Sequence, residues 1–566
     1  MSQSQNIVNS SLKAASLNMM TQVIFRLVTF VMNAYVLRYI SRDVLGLIYV
    51  RLNLLDDTII FLSTEGFRLA GLGHNRDSGN WQKTVNLMWL TLPLAALWSS
   101  MMGWVWLTML PAPPPELASQ YHQAVIIVAM AGVGQMLAEP PMVVGQVLMF
   151  VRLRVVMNML WMTTRVIVLC LAVTLDPDNV ILIWAWGHAF AAVVYVGGYY
   201  FAFRVILKAN KIDQNDQVPI KSMGQLLPSR PSQFSLDPDQ WKVASSFLGQ
   251  AVVKQVLTDC EKYVMTIFNL LTLSEQGRLD VVSNLGSLAA RFIFRPAEES
   301  AYFFFSQLWS RGTLIKEQDK ENYQKVQSGL FRLLRMMLYL GKTQITLQIY
   351  IMLQMNYISG LIIVFFGYSF SHLVLHLYGG RTLGEGLGPA LLRSQCFLIL
   401  FLAINGVTEC FARAVMTDSE INTYTRVMTL MSVAYVLLTY TLASLLGPVG
   451  MVMANCCNMI IRIAAAVRVI LNTFNDQEEQ PIMGLVPDTD ITLLLISAGA
   501  TCLLSEVYIY AWSALAHLAI GAVMFLVVVV AVVVKEDYIL VFLAQKFRAL
   551  RGGDNIEEEE EKSKAD

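Results

Sequence analysis

The sequence predicts an all-α polytopic membrane protein, with about 14 transmembrane helices in two six-helix lobes plus a C-terminal pair. Three observations lead there. Of 566 residues, 55% are hydrophobic and only 14% charged, and the mean hydropathy is +0.53, the balance of a chain dissolved in lipid and not of a soluble domain. Apolar runs of about 20 residues, the length that crosses a hydrocarbon core, recur between charge and turn signals. A polar stretch from Lys208 to Asp239, carrying Pro219, Pro228, Pro231 and Pro238, divides those runs into two sets and reads as a flexible linker.

The first set lies at roughly 15–39, 44–68, 84–110, 120–147, 150–174 and 180–207. The first of these is too long for a cleaved signal peptide and lacks a small-residue cleavage site, so it is expected to remain as a spanning helix. The second set lies at roughly 242–270, 279–309, 326–376, 386–415, 420–446 and 449–472, followed by a pair at 490–511 and 514–535. The 326–376 region is too long for one span, and its first part, with Arg332 and Arg335, reads as a cytosolic extension or surface helix. The expected organisation is an N-terminal lobe over 1–207, a cytosolic linker over 208–240, a C-terminal lobe over 241–472, a terminal helix pair over 473–535 and a cytosolic tail over 536–566.

Basic residues orient the chain. Arg68, Arg76 and Lys83, then Arg152 and Arg154, then Lys208, Lys211, Lys221 and Arg230, then Arg311, Lys316, Lys320 and Lys325 mark cytosolic loops. The opposite loops 111–120 and 176–179 hold no Lys or Arg, although Arg42, Arg278 and Arg381 depart from the rule. Both termini are therefore expected in the cytosol. The sequon at Asn9 falls on that side and is expected to stay unused. The tail ends Lys562-Ser563-Lys564-Ala565-Asp566, which fits either a dilysine retrieval signal of endoplasmic reticulum membrane proteins or a solvated charged end.

Polar residues inside the apolar runs carry the functional argument. Gln22, Arg26 and Asn33 follow helical spacing in the first run, and Asn53, Asp57, Thr64 and Arg68 make a stripe in the second. In the eighth run Asn284, Ser287, Arg291, Arg295 and Glu298 fall at three- and four-residue steps. A cation midway through an apolar helix is costly in lipid, so it is expected to face protein or a wet cavity. With Arg165 and Lys254, these arginines predict a cationic chamber between the lobes. Guanidinium suits an anionic substrate there because its charge is permanent and its planar fork grips phosphate oxygens with two hydrogen bonds.

An internal repeat would pair the two stripes. Gly46, Asn53, Leu54 and Phe61 match Gly277, Asn284, Leu285 and Phe292 at one constant offset, and Glu139 and Pro177 match Glu409 and Pro448 at a larger, nearly constant spacing; related halves and chance coincidence both fit so few identities. Other readings stay open at several positions. Arg38, Arg42 and Arg51 can snorkel from helix ends, Arg68 can be a positive-inside residue, and Arg295 with Glu298, Glu409 with Arg413 and Lys254 with Glu261 can be structural ion pairs.

Pro140-Pro141 is expected to kink or break the fourth span, with Glu139 beside it a gating residue or part of the packing. Glu65, Glu261 and Glu409 are the other candidates for gating or coupling. The six histidines are scattered, and the seven cysteines, all inside apolar runs, read as buried thiols with no zinc-site spacing. No metal or cofactor is expected, and a net charge of zero argues against nucleic acid.

Several stretches carry a resemblance. QVIFRLVTFVMNAYVLRYISRDVLGLIYVRLNLL from Gln22, FLSTEGFRLA from Phe61, KQVLTDCEKYVM from Lys254, NLGSLAARFIFRPAEES from Asn284 and LAINGVTECF from Leu402 resemble the Rft family of endoplasmic reticulum membrane proteins needed for N-linked glycosylation. Arg26, Arg68, Lys254, Glu261, Arg291 and Glu409 lie inside these blocks, while Arg295 departs from the family pattern.

The resemblance implies the architecture of multidrug extruders, polysaccharide exporters and lipid-linked precursor flippases. It also implies a substrate, dolichol pyrophosphate carrying five mannoses on two N-acetylglucosamines, moved from the cytosolic to the luminal leaflet without covalent chemistry. Members of the family either carry that lipid or act nearby. The expected mechanism is alternating access, with Arg26, Arg68, Lys254 and Arg291 on the pyrophosphate. The rivals are a non-transporting accessory protein of the same pathway and a cation-coupled drug antiporter using Glu139, Glu261 and Glu409. A membrane glycosyltransferase fits poorly, because the opposite-side loops are short.

Overall fold

The structure, a computed structural model, describes residues 28–72, 81–148, 150–212, 220, 222–230, 235–295, 298, 343–474 and 489–535. Their regular structure is entirely helical. Ten helices among them are long and apolar enough to cross a membrane, so the chain is a multi-pass membrane protein. In chain order, α1 covers 28–39, α2 Asn53–Leu72, α3 Trp81–Thr108, α4 Pro115–Val147, α5 Val151–Leu175, α6 Val180–Ile212, α7 Pro238–Thr258, α8 Cys260–Ile267 and α9 Leu273–Ala289. Then come α10 Thr343–Gly384, α11 Leu387–Val415, α12 Asp418–Leu446, α13 Pro448–Thr473, α14 Thr489–Tyr508 and α15 Ala514–Lys535. Arg26, the Asn9 sequon, Arg332, Arg335 and the Lys562–Asp566 tail lie outside the described residues.

Two compact units emerge. One takes the described residues up to Ser283 together with Leu375–Gly388 and Leu430–Ala454, and the other takes those within Asn284–Val374 and Pro389–Thr429 and from Asn455 onward.

In the first unit α2 is led in by a short helix, Arg42–Leu45, capped by Ser41, and by a π-helical turn, Gly46–Leu52. The wide turn lies where two backbones touch. A Cβ on Gly277 would stand 2.6 Å from the Gly46 amide nitrogen and 2.8 Å from Leu45 Cβ, so only glycine fits this crossing. The arginines around it donate to backbone carbonyls. Arg51, 1% exposed, donates to the Pro111 carbonyl at 2.6 Å, Arg38 to the Leu377 carbonyl at 2.6 Å and Arg42 to the Arg381 carbonyl at 3.3 Å.

Helix α4 breaks where its sequence says it must. It runs as an α-helix to Gln135, tightens into a 3-10 turn at Met136–Ala138 and restarts at Glu139. Pro140 and Pro141 occupy the first turn of the restarted helix, where backbone N–H groups have no intrahelical partner and proline costs nothing. A carbonyl at the break is satisfied from outside: the Tyr200 hydroxyl donates to the Leu137 oxygen at 3.1 Å. Glu139 thereby stands at a helix N-terminus, the end that favours a negative charge.

In the second unit the last two helices are docked by specific contacts. Ile358 of α10 packs with Ile491, Leu495 and Ala498 of α14 and Val528 and Val532 of α15. His517 stacks on Phe370 at 4.2 Å and its Nδ1 lies 2.9 Å from the Ser505 hydroxyl. Arg393 of α11 donates from Nη2 to both Glu506 carboxylate oxygens, at 2.7 and 2.9 Å, and lies over the Tyr368 ring. The outward side of α15 is apolar, with Leu515, Leu526 and Val534 exposed. Such a surface is tolerable only where hydrocarbon is the solvent. α10 includes the last part of the long 326–376 run and turns sharply at Gly379 and Gly380, the latter at φ +60°.

Candidate functional site: charged side chains inside each unit

In the first unit Asn53 and Arg68 of the α2 polar stripe, and Glu65 beside it, meet partners on neighbouring helices. Arg68 grips Glu139 with both prongs of its fork, Nε to Oε2 at 2.8 Å and Nη2 to Oε1 at 2.5 Å. Glu139 is 2% exposed, so its charge is offset almost wholly by this one guanidinium. One turn earlier Glu65 pairs with Lys254 of α7, whose ammonium also lies 5.4 Å from the centre of the Phe61 ring. Near the other end of α2, Arg165 donates to the Asn53 side-chain oxygen at 2.7 Å and lies over the Trp161 and Trp184 rings at 4.5 and 5.3 Å. Asn33 is half-buried on α1.

Lys254 and Glu261 are not partners, since Glu261 accepts a hydrogen bond from the Tyr435 hydroxyl. Two of the cations expected on an anionic substrate, Arg68 and Lys254, thus have carboxylate partners, and a third, Arg165, is held by an amide and two indoles.

The second unit contains an open cavity of about 550 Å³. Arg295 and Glu298 open onto it from one side, Asn405, Glu409 and Arg413 from α11, and Arg462 from α13. Glu409 is the hinge of this arrangement. Its Oε1 accepts from Arg413 at 2.5 Å, and its Oε2 from Arg462 at 2.6 Å and Asn405 at 3.0 Å. The spacing explains the first contact, because residues four apart on a helix are neighbours. Close approach of α11 to Glu298 depends on Gly406, where any Cβ would run into the Glu298 carboxylate.

Among the described residues that line it, three guanidiniums and two carboxylates leave one net positive charge. Arg291 does not line the cavity; its guanidinium turns back along its own helix to the Ser287 hydroxyl at 2.7 Å and the Asn284 carbonyl at 2.9 Å.

Of the residues singled out from sequence, the structure brings Arg295, Glu298 and Glu409 together, and Arg68 with Glu139, and Glu65 with Lys254. Two constellations escaped that reading. Arg462 is a mid-span arginine, and the cost of a cation in an apolar helix, applied to α13, would have flagged it. The second is Asp56 with His188. Their approach of 3.2 Å, with side chains 2% and 0% exposed, joins two helices far apart in the chain, so no local spacing reveals it. All seven cysteines are free thiols, and no metal-binding group occurs among the described residues.

A profile of the Rft protein family matches residues 10–546. A Xenopus tropicalis protein described as "Man(5)GlcNAc(2)-PP-dolichol translocation protein RFT1" is 37% identical over 95% of this chain and 97% of its own length. The Mus musculus protein of the same description is 36% identical over 98% and 99%. Among solved structures, the lipid II flippase MurJ in an inward closed conformation superimposes with a TM-score of 0.58, covering 92% of this chain and 99% of its own at 11% identity. An inward-facing multidrug resistance MATE family transporter gives 0.51, covering 79% and 96%, also at 11%. At that identity the likeness is one of fold.

Proposed function

We propose, from the premise that this chain belongs to the Rft protein family, that it moves dolichol pyrophosphate-linked Man5GlcNAc2 from the cytosolic to the luminal leaflet of the endoplasmic reticulum for protein N-glycosylation. Its relatives are described by that lipid. On this reading the protein is a transporter and not an enzyme, with about 14 spans in two six-helix lobes plus a terminal pair and both termini cytosolic. It needs no cofactor.

The observation that carries the reading is the arginine-lined cavity of the second unit. A diphosphate is the obstacle to crossing, because bringing an ionised group into hydrocarbon costs on the order of tens of kcal/mol unless it is paired. Arg295, Arg413 and Arg462 offer permanent, forked donors around one hollow. Glu409 occupies two of them when the cavity is empty. An incoming diphosphate competes with that carboxylate, and Glu409 competes back on release. Binding is then strong enough to load and weak enough to leave. Arg26, Arg68, Lys254 and Arg291 remain candidate contacts of the same headgroup at other stages.

The carboxylates a drug antiporter would use, Glu139, Glu261 and Glu409, are each tied to an arginine or a tyrosine, which favours the lipid reading. The test is reconstitution of purified protein into vesicles with labelled lipid. The triple variant R413Q/E409Q/R462Q keeps the hydrogen-bonding shapes, leaves no buried charge unpaired, and is expected to fold yet lose lipid movement. Undiminished transport by that variant sinks the assignment. A wild-type protein that moves no lipid while its loss from cells still depletes glycoproteins supports the accessory role instead.

A further inference from the structure

We infer that Asp56 and His188 form a proton-binding site in the first unit, and that a proton is the co-substrate driving lipid movement; this second clause rests on the transport reading above. His188 of α6 and Asp56 of α2 are both buried and approach to 3.2 Å. The approach falls short of hydrogen-bond geometry, and neither imidazole nitrogen nor Asp56 Oδ1 has a hydrogen-bond partner. Buried polar atoms are almost always satisfied, so three such atoms at one point mark a place built to exchange a proton rather than to hold the fold. Glu139 and Glu409, by contrast, are each paired with a permanently charged arginine. Glu261 is held by Tyr435.

The surroundings show what the proton would do. With one proton shared between carboxylate and imidazole the pair is neutral overall. Without it, a bare carboxylate is left in a buried place and must find a cation. Facing Asp56 are Asp57 on α2, the backbone of Gly132 on α4, whose Cβ would stand 3.7 Å from Asp56 Oδ1, Arg165 on α5, and the Trp161 and Trp184 rings that border His188 at 5.9 and 5.5 Å. Beyond Asp57 lie Asp259 and Lys262.

Arg165 is a cation within electrostatic reach of both Asp56 and Asp57, and among the described residues its hydrogen-bond and ring partners are neutral Asn53 and the two indoles. Asn53 and Asp56 are three residues apart and share a face of α2. Loss of the proton therefore shifts the partner of Asp56 from His188 on α6 to Arg165 on α5. Proton binding and release thus change which helix α2 is tied to, the kind of two-state element that transport coupling requires.

Trp161 and Trp184 supply a reporter, since an imidazolium against an indole quenches its fluorescence. Purified wild-type protein in detergent is expected to lose tryptophan emission in a single step as pH falls. The step should vanish in H188Q and shrink in W184F. An unchanged step in H188Q overturns the proton site. In vesicles, an imposed pH gradient should accelerate lipid movement in wild-type protein and not in D56N. Acceleration of D56N equal to wild type overturns the coupling. A titration that depends on His188 in a protein that moves no lipid upholds the proton site and removes the transport reading, so the two fail separately.

Discussion

Gly46 and Gly277 meet backbone to backbone, with the Gly46 amide nitrogen 2.6 Å from the place a Cβ on Gly277 would take. They are also two of the residues that align at a constant offset in the sequence. These glycines meet at one crossing in the first unit, next to the π-helical turn Gly46–Leu52. Wide turns of this kind are retained where a helix must carry extra length past a neighbour.

Replacing Gly277 with Ala puts a methyl group into occupied space and leaves no flexible side chain to yield. The expected loss is about 1–3 kcal/mol, the usual range for overpacking, read as a lower melting temperature of the detergent-solubilised protein. An unchanged melting temperature for Gly277→Ala and Gly46→Ala alike would show that the contact relaxes.

Arg68 and Glu139 separate a structural role from a substrate role. Arg68→Ala leaves a buried carboxylate alone, a change that costs about 3–5 kcal/mol in buried pairs, and protein level should fall. The double variant R68M/E139M leaves no charge behind and should recover the level. If glycosylation recovers with it, Arg68 acts through Glu139 only. Persistent accumulation of lipid-linked oligosaccharide at normal protein level assigns Arg68 to the substrate.

Glu409 is expected to act as the competitor of the diphosphate. Glu409→Gln frees Arg413 and Arg462, so binding of inorganic pyrophosphate to the purified protein should tighten while lipid release slows. Arg462→Gln should weaken the same binding. Calorimetric titration that finds no difference between the two variants contradicts the competition.

The terminal pair should detach without its polar clasp. Arg393→Ala removes both hydrogen bonds to Glu506 and leaves that carboxylate 10% exposed with no guanidinium. Hydrogen exchange in α14 and α15 should rise, with α2 to α6 unchanged. Uniform protection across the chain would mean that the apolar cluster of Ile358, Leu495 and Val528 suffices.

The sequence by itself determined the class of solvent and the helical content, because runs of about 20 apolar residues have one stable form in lipid. The break at Pro140-Pro141 was equally legible, since a missing N–H acts within one turn of its own helix. The polar stripe of α2 could be read from spacing, and so could the Glu409–Arg413 neighbourhood, four residues apart. Which partner each charge took was decided only by the tertiary structure. Lys254 has Glu261 only seven residues on in the chain yet pairs with Glu65, 189 residues distant. Arg462 reaches Glu409 across 53 residues, and Asp56 finds His188 on another helix. Burial in hydrocarbon obliges each ionised group to find a partner, but the helix packing alone determines which groups come within reach.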